Sequence, residues 1–60
     1  MNSLQNVTHT LTWQGIHTYS NKLMSVVTAD FMSEKSAWAY LQDMVNAGYT
    51  VLTATLEEIN

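Results

Sequence analysis

Two histidines, two aspartates, three glutamates and a handful of serines are the groups from which this chain of 60 residues could build a reactive centre. A nucleophilic triad needs a hydroxyl or thiol, a base beside it and a carboxylate to orient the base, all set around a cleft. His9, His17, Asp30, Asp43 and the serines supply the types. No spacing among them marks a nucleophile turn, and so short a chain has little material left for a pocket once a core is built. The two glycines, Gly15 and Gly48, stand far apart and form no phosphate-cradling loop. Absence of cysteine removes thiol catalysis, thiolate metal sites and disulfides together. A site built from His9 and His17 with a carboxylate is the remaining metal candidate, but two histidines distant in sequence are a weak signature. A lone histidine on an inward face is more often a hydrogen-bonded core or rim residue. These residues argue against an enzyme and imply no cofactor and no metal.

The charges narrow the partners. Two cations, Lys22 and Lys35, stand against five carboxylates, for a net charge of −3. So few cations cannot neutralise a run of phosphates, and nucleic-acid binding by the usual mechanism is set aside. Trp13, Tyr19 and Trp38 could stack on bases, but without cationic support core packing explains them better. The reverse role, imitation of nucleic acid, has thin support from five carboxylates in scattered places. Glu57 and Glu58 with Asp43 suggest at most one small acidic patch. The helix described below lacks the cations that an anionic bilayer favours, so no membrane role is expected either. The N-terminal MNSLQNVTHT has neither a basic region nor an apolar run, and no stretch approaches the length needed to span a bilayer. A cytoplasmic location is the resulting expectation, and the glycosylation sequon at Asn6 reads as coincidence.

Charged residues make up only 12% of the chain, about half the usual share, whereas the hydrophobic 47% is ordinary for a globular domain. Much of the surface must then be Thr, Ser, Asn and Gln. Such a surface loses its water cheaply, since few charges must be desolvated. A domain this small is also marginal alone and gains from a staple or a partner chain. Both considerations favour a protein partner or self-association.

The elements that must position these residues are legible. From Val7 the chain alternates, with Val7, His9, Leu11 and Trp13 on one side and Thr8, Thr10 and Thr12 on the other, a strand signal. Gly15 suggests a bulge or bend before a second extended stretch from Ile16 to Tyr19, and Ser20-Asn21-Lys22 a reversal. Leu23–Phe31 reads as the second strand, with apolar residues on both faces. Ser33 is a good N-cap, with Glu34 at the positive end of the helix dipole. The helix runs from Glu34 to Ala47, with an apolar stripe of Ala37, Trp38, Leu41, Met44 and Val45. Gly48 suits the left-handed position that ends it. Tyr49–Leu56 is the third strand, with Leu52, Ala54 and Leu56 on one face and Val51, Thr53 and Thr55 on the other.

The order β-β-α-β predicts a single α+β domain over residues 1–60, with 1–6 frayed. Its sheet is three-stranded and mainly antiparallel, with the first strand central (order 2-1-3) and one helix on one face. The other face then collects Thr8, Thr10, Thr12, Val51, Thr53 and Thr55, joined by Met24 and Val26 if Val27 and Phe31 point inward. An ordinary wet sheet face explains such residues as well as a docking surface does. A one-residue slip would exchange the faces. The leading expectation is a non-enzymatic inhibitor or regulator that docks on a larger protein through Thr10, Thr12, Val26, Thr53 and Thr55. Tyr19 and Tyr40 serve as exposed aromatic anchors. Size and composition suit the accessory proteins that phages direct at bacterial host proteins, an analogy only. The runner-up is a self-assembling homo-oligomer, most simply a dimer formed face to face or through an unguarded sheet edge. A histidine-based metal binder comes third.

Overall fold

A computed structural model of the chain describes residues 7–59; the expected fraying of 1–6, the sequon at Asn6 and the polar end at Asn60 lie outside them. Four strands and one helix follow in the order β1 (His9–His17), β2 (Lys22–Leu23), β3 (Val27–Phe31), α1 (Glu34–Asn46) and β4 (Tyr49–Glu58). β1 is central. It pairs antiparallel with β2 and β3 along one side and with β4 along the other. With β2 and β3 read as two parts of one strand, this is the order 2-1-3. β3 and β4 run parallel to each other and never touch as a ladder. All strand pairing is therefore antiparallel, which short strands favour.

The helix forms where its signals stand. Ser33 is extended (φ −161°, ψ 159°) and its hydroxyl accepts the Ser36 amide at 3.1 Å, satisfying one free donor of the first turn. At the other end Gly48 adopts φ +107°, a value that glycine reaches without Cβ strain. The chain reverses there and enters β4 at Tyr49.

Leu11 and Trp13 of β1 and Ala37 and Leu41 of α1 form the buried core. Val27, Phe31, Tyr40, Met44, Tyr49, Val51 and Leu56 pack around them. Trp13 is the centre: Tyr40 and Tyr49 meet it edge-on at 6.1 and 6.3 Å between ring centroids. Its indole N–H donates to the Tyr40 hydroxyl at 3.3 Å, so the one polar atom of the ring is not stranded.

Four details depart from the alternation read in the sequence. First, the extended stretch beyond Gly15 belongs to the opening strand but ends sooner than expected, at His17 and not Tyr19. β1 continues through Gly15 to His17, and the turn occupies Thr18–Asn21, with Asn21 left-handed at φ +59°. Second, the irregularity at Gly15 lies in its neighbours. From Trp13 to Ile16 β1 advances three residues, while its partners advance four: Ala54 to Thr50 in β4, and Leu23 to Val27 between β2 and β3. Both flanking strands thus carry one extra residue at the same level of the sheet. Third, the extra residue in β4 is Leu52, which exchanges faces with its neighbour. Val51 packs on the core, and Leu52 is half exposed. The same shift turns Met24 towards the core, not the open face, and breaks the expected strand Leu23–Phe31 at Met24–Val26. Fourth, the helix is rotated from the predicted stripe. Ala37, Tyr40, Leu41 and Met44 face the sheet, leaving Trp38 and Val45 exposed on the flank.

Candidate functional site

Leu11 and Trp13 lie under the helix, so their neighbours along β1 point the other way. Thr10, Thr12, Gln14 and Ile16 therefore form the central row of the face that α1 leaves bare. Residues directly opposite in an antiparallel pair share a face. The register accordingly sets Asp30 and Thr28 of β3 and Leu23 of β2 on one side of this row. It sets Glu57, Thr55, Thr53 and Thr50 of β4 on the other. The face is graded: Ile16 and Leu23 make an apolar end, threonines fill the middle, and Asp30 and Glu57 make an acidic end.

Several of its polar side chains are bonded within the face. Thr10 donates its hydroxyl to Asp30 Oδ1 at 2.8 Å, and the Thr18 and Thr50 hydroxyls meet at 2.8 Å. Gln14 donates from Nε2 to the Met24 carbonyl at 3.0 Å, across the broken strand. Thr12 and Thr28 approach at 3.5 Å, a weaker contact. A threonine whose hydroxyl is engaged sideways leaves its methyl as its outward group. Thr10 and Thr50, towards the two ends of the face, are therefore less polar than their type suggests.

Of the residues expected to bind a partner, Thr10, Thr12, Thr53 and Thr55 do come together on this face. Val26 is 59% exposed in the interruption between β2 and β3, outside the ladder. Tyr19 stands at the β1–β2 turn with 88% of its surface free, and its ring lies against Gly48. Tyr40 is not the exposed anchor expected. It is half-buried on the inner side of α1, bonded to Trp13 and packed on Phe31 at 5.2 Å between centroids. Val51 and Met24 leave the face for the same reason of register given above. Ile16 and Leu23 join it unforeseen, because only the paired irregularity at Gln14-Gly15 reveals which way they point.

The histidines sit at the two ends of β1. Eight residues of strand separate them by about 27 Å, so one ion cannot be held by both. His9 Nδ1 pairs with the Thr8 hydroxyl at 2.7 Å, and His17 Nδ1 with that of Ser20 at 3.1 Å. The His17 ring also meets Tyr49 edge-on at 5.3 Å. Among the described residues no group of three or more His, Cys, Asp or Glu side chains stands close enough to hold a metal. No helix of the described residues is long and apolar enough to cross a membrane.

Compared with protein-family models, curated proteins and solved structures, the chain finds no match.

Proposed function

We propose that this chain is a non-enzymatic protein-binding domain, an inhibitor or regulator that docks on a larger protein through its bare sheet face. The sideways hydrogen bonding of Thr10, Gln14 and Thr18 is the observation that carries the reading. Covering a polar group costs about 1–3 kcal/mol when its hydrogen bond is lost. Here those three bonds lie within the face and survive coverage, which lowers the polar cost that a partner must offset. The apolar end at Ile16 and Leu23 offers an anchor, and Asp30 and Glu57 at the other end fix the orientation of a partner with a matching basic rim. A cytoplasmic setting goes with this reading. By analogy of size and composition, so does a phage protein aimed at a bacterial host.

Capture experiments test it. The wild-type domain should retain one stoichiometric protein from a bacterial lysate. Thr10→Glu, which adds a third carboxylate between Asp30 and Glu57, and Thr53→Glu, which places a charge in the neutral middle of the face, should lose it while keeping the wild-type circular dichroism. Gln42→Glu on the exterior of α1 should retain it. Undiminished capture by both threonine variants would move the site off the sheet.

A further inference from the structure

The two edges of the sheet are not alike. β3 is five residues long and carries Asp30. β4 is ten residues long, has neither lysine nor proline, and is uncharged from Tyr49 to Leu56. Native edges are ordinarily blunted by short length, cations, proline or bulges. The bulge at Leu52 guards only one end of β4. Beyond it, Ile59 donates its amide to the Thr8 carbonyl at 2.8 Å. In an antiparallel ladder the bonding direction alternates, so Thr53, Thr55 and Glu57 bond inward to β1. The backbone groups of Ala54, Leu56 and Glu58 then point outward.

On the helix side this edge is also bare. Ala54 is exposed although it faces the α1 layer, and a groove of about 550 Å³ runs between it, Leu56, Trp38 and Glu34. Trp38 is 42% exposed and Leu52 50%.

We infer that a second copy of this chain covers the β4 edge, with two β4 strands pairing antiparallel about a two-fold axis at Thr55. Only residues with outward backbone groups can exchange hydrogen bonds, which restricts the axis to a position between Ala54 and Glu57. An axis at Leu56 or Glu57 would bring the two Glu57 side chains within about 7 Å along the strand, and one at Ala54 would leave one regular bonded pair beside the bulge. The register therefore sets Ala54 opposite Leu56 of the other copy, and Leu56 opposite its Ala54. Four backbone bonds result. Thr55 meets its own mate on the bare face, and Thr53 lies opposite Glu57. The charges select this arrangement. At about 3.4 Å per residue, Glu57 and Glu58 stand about 14 and 20 Å along the strand from their mates, beyond the roughly 8 Å screening length of physiological salt. A parallel pairing in register would set them about 5 Å apart. The antiparallel seam also brings the two Trp38-flanked grooves together, covering Ala54, Leu56 and Trp38 of both copies. A stable dimer needs about 600 Å² from each partner, a seventh of the 4206 Å² surface. The strip from Thr53 to Glu58 is about 20 Å long, and with Trp38 and Leu52 beside it supplies a seam of that order. The product is one continuous sheet with two helices on one side and two threonine faces, side by side, on the other. It does not depend on any protein docking on those faces.

Sedimentation and light scattering read the result. The wild type should show a two-chain mass across a hundredfold range of concentration. Thr55→Lys and Thr55→Glu each place like charges across the axis and should give folded single chains, while their equimolar mixture should regain the two-chain mass as a heterodimer. Ala54→Pro removes an outward N–H that β1 does not use and should also give a folded single chain. It leaves the threonine face intact, so it separates loss of the dimer from loss of capture. A wild type of single-chain mass throughout, a Thr55→Lys protein that remains a dimer, or a mixture that fails to reassociate would each overturn the proposal. If the Thr55 variants fail to fold, a dimeric, folded Ala54→Pro protein would do the same.

Discussion

At the scale of the residue, Gly15 has the least freedom to change. A Cβ there would lie 2.6 Å from the Thr50 carbonyl oxygen and 2.9 Å from Cζ3 of Trp13. The first contact is with backbone and the second with the most central ring of the core, so neither yields easily. Gly15→Ala should destabilise the domain by about 2–3 kcal/mol, the upper part of the range for overpacking, read from urea unfolding. At Gly48 a Cβ meets only the Tyr19 ring at 3.5 Å, ordinary contact, and the cost is the strain of φ +107°. Gly48→Ala should lose about 1–2 kcal/mol. The sequence marked both glycines as structural, and a bulge does fall at Gly15. Gly48 is the helix terminator expected. Gly15 is not itself the extra residue. It is where the backbone of β4 and the ring of Trp13 close in on β1, a fact of three dimensions that no local pattern encodes. Trp13 shows how little margin there is. A domain of this size is stable by roughly 3–9 kcal/mol, and Trp13→Ala should remove about 3–5 kcal/mol. We expect that variant to lack a cooperative thermal transition.

At the scale of the element, the local signals were strongest where chemistry and conformation coincide. Ser33 caps the helix by the bond its position implies, and Ser33→Ala should cost about 1 kcal/mol, seen as a lower melting temperature with an unchanged fold. The alternation of Val7–Trp13 gave the faces of β1 correctly, because the central strand suffers no insertion. Its neighbours do. One extra residue in β4 reversed Val51 and Leu52, and one between β2 and β3 reversed Met24. A period of two carries no mark of a single insertion, since apolar residues stand on both sides of the slip. The helix stripe erred by a rotation for a similar reason. Trp38 and Val45 are apolar enough for a core, but Tyr40, whose hydroxyl reaches the Trp13 indole, takes the inner position. The indole N–H of Trp38 instead donates to Glu34 at 3.2 Å on the exposed flank.

At the scale of the molecule, one helix covers one side of the sheet, and the four threonines picked out in the sequence share the other. That much of the site was legible because Thr10 and Thr12 alternate with Leu11 and Trp13, and Thr53 and Thr55 with Ala54 and Leu56. The apolar end formed by Ile16 and Leu23 was not, as it depends on the turn and on the doubled irregularity beside Gly15. Neither was the outward direction of the β4 backbone, which a register fixes and a sequence does not. A covered face and a bare one make the domain a platform. On the function proposed, the bonds that Thr10, Gln14 and Thr18 make within the face are what let a partner cover it at a lower polar cost. Methyl cross-saturation in the complex with the captured protein tests this most directly. Transfer should reach the methyl groups of Thr10, Thr12, Ile16, Thr53 and Thr55 and spare Ala39 on the exterior of α1. Transfer concentrated on Ala39, with the threonine methyls untouched, would contradict it.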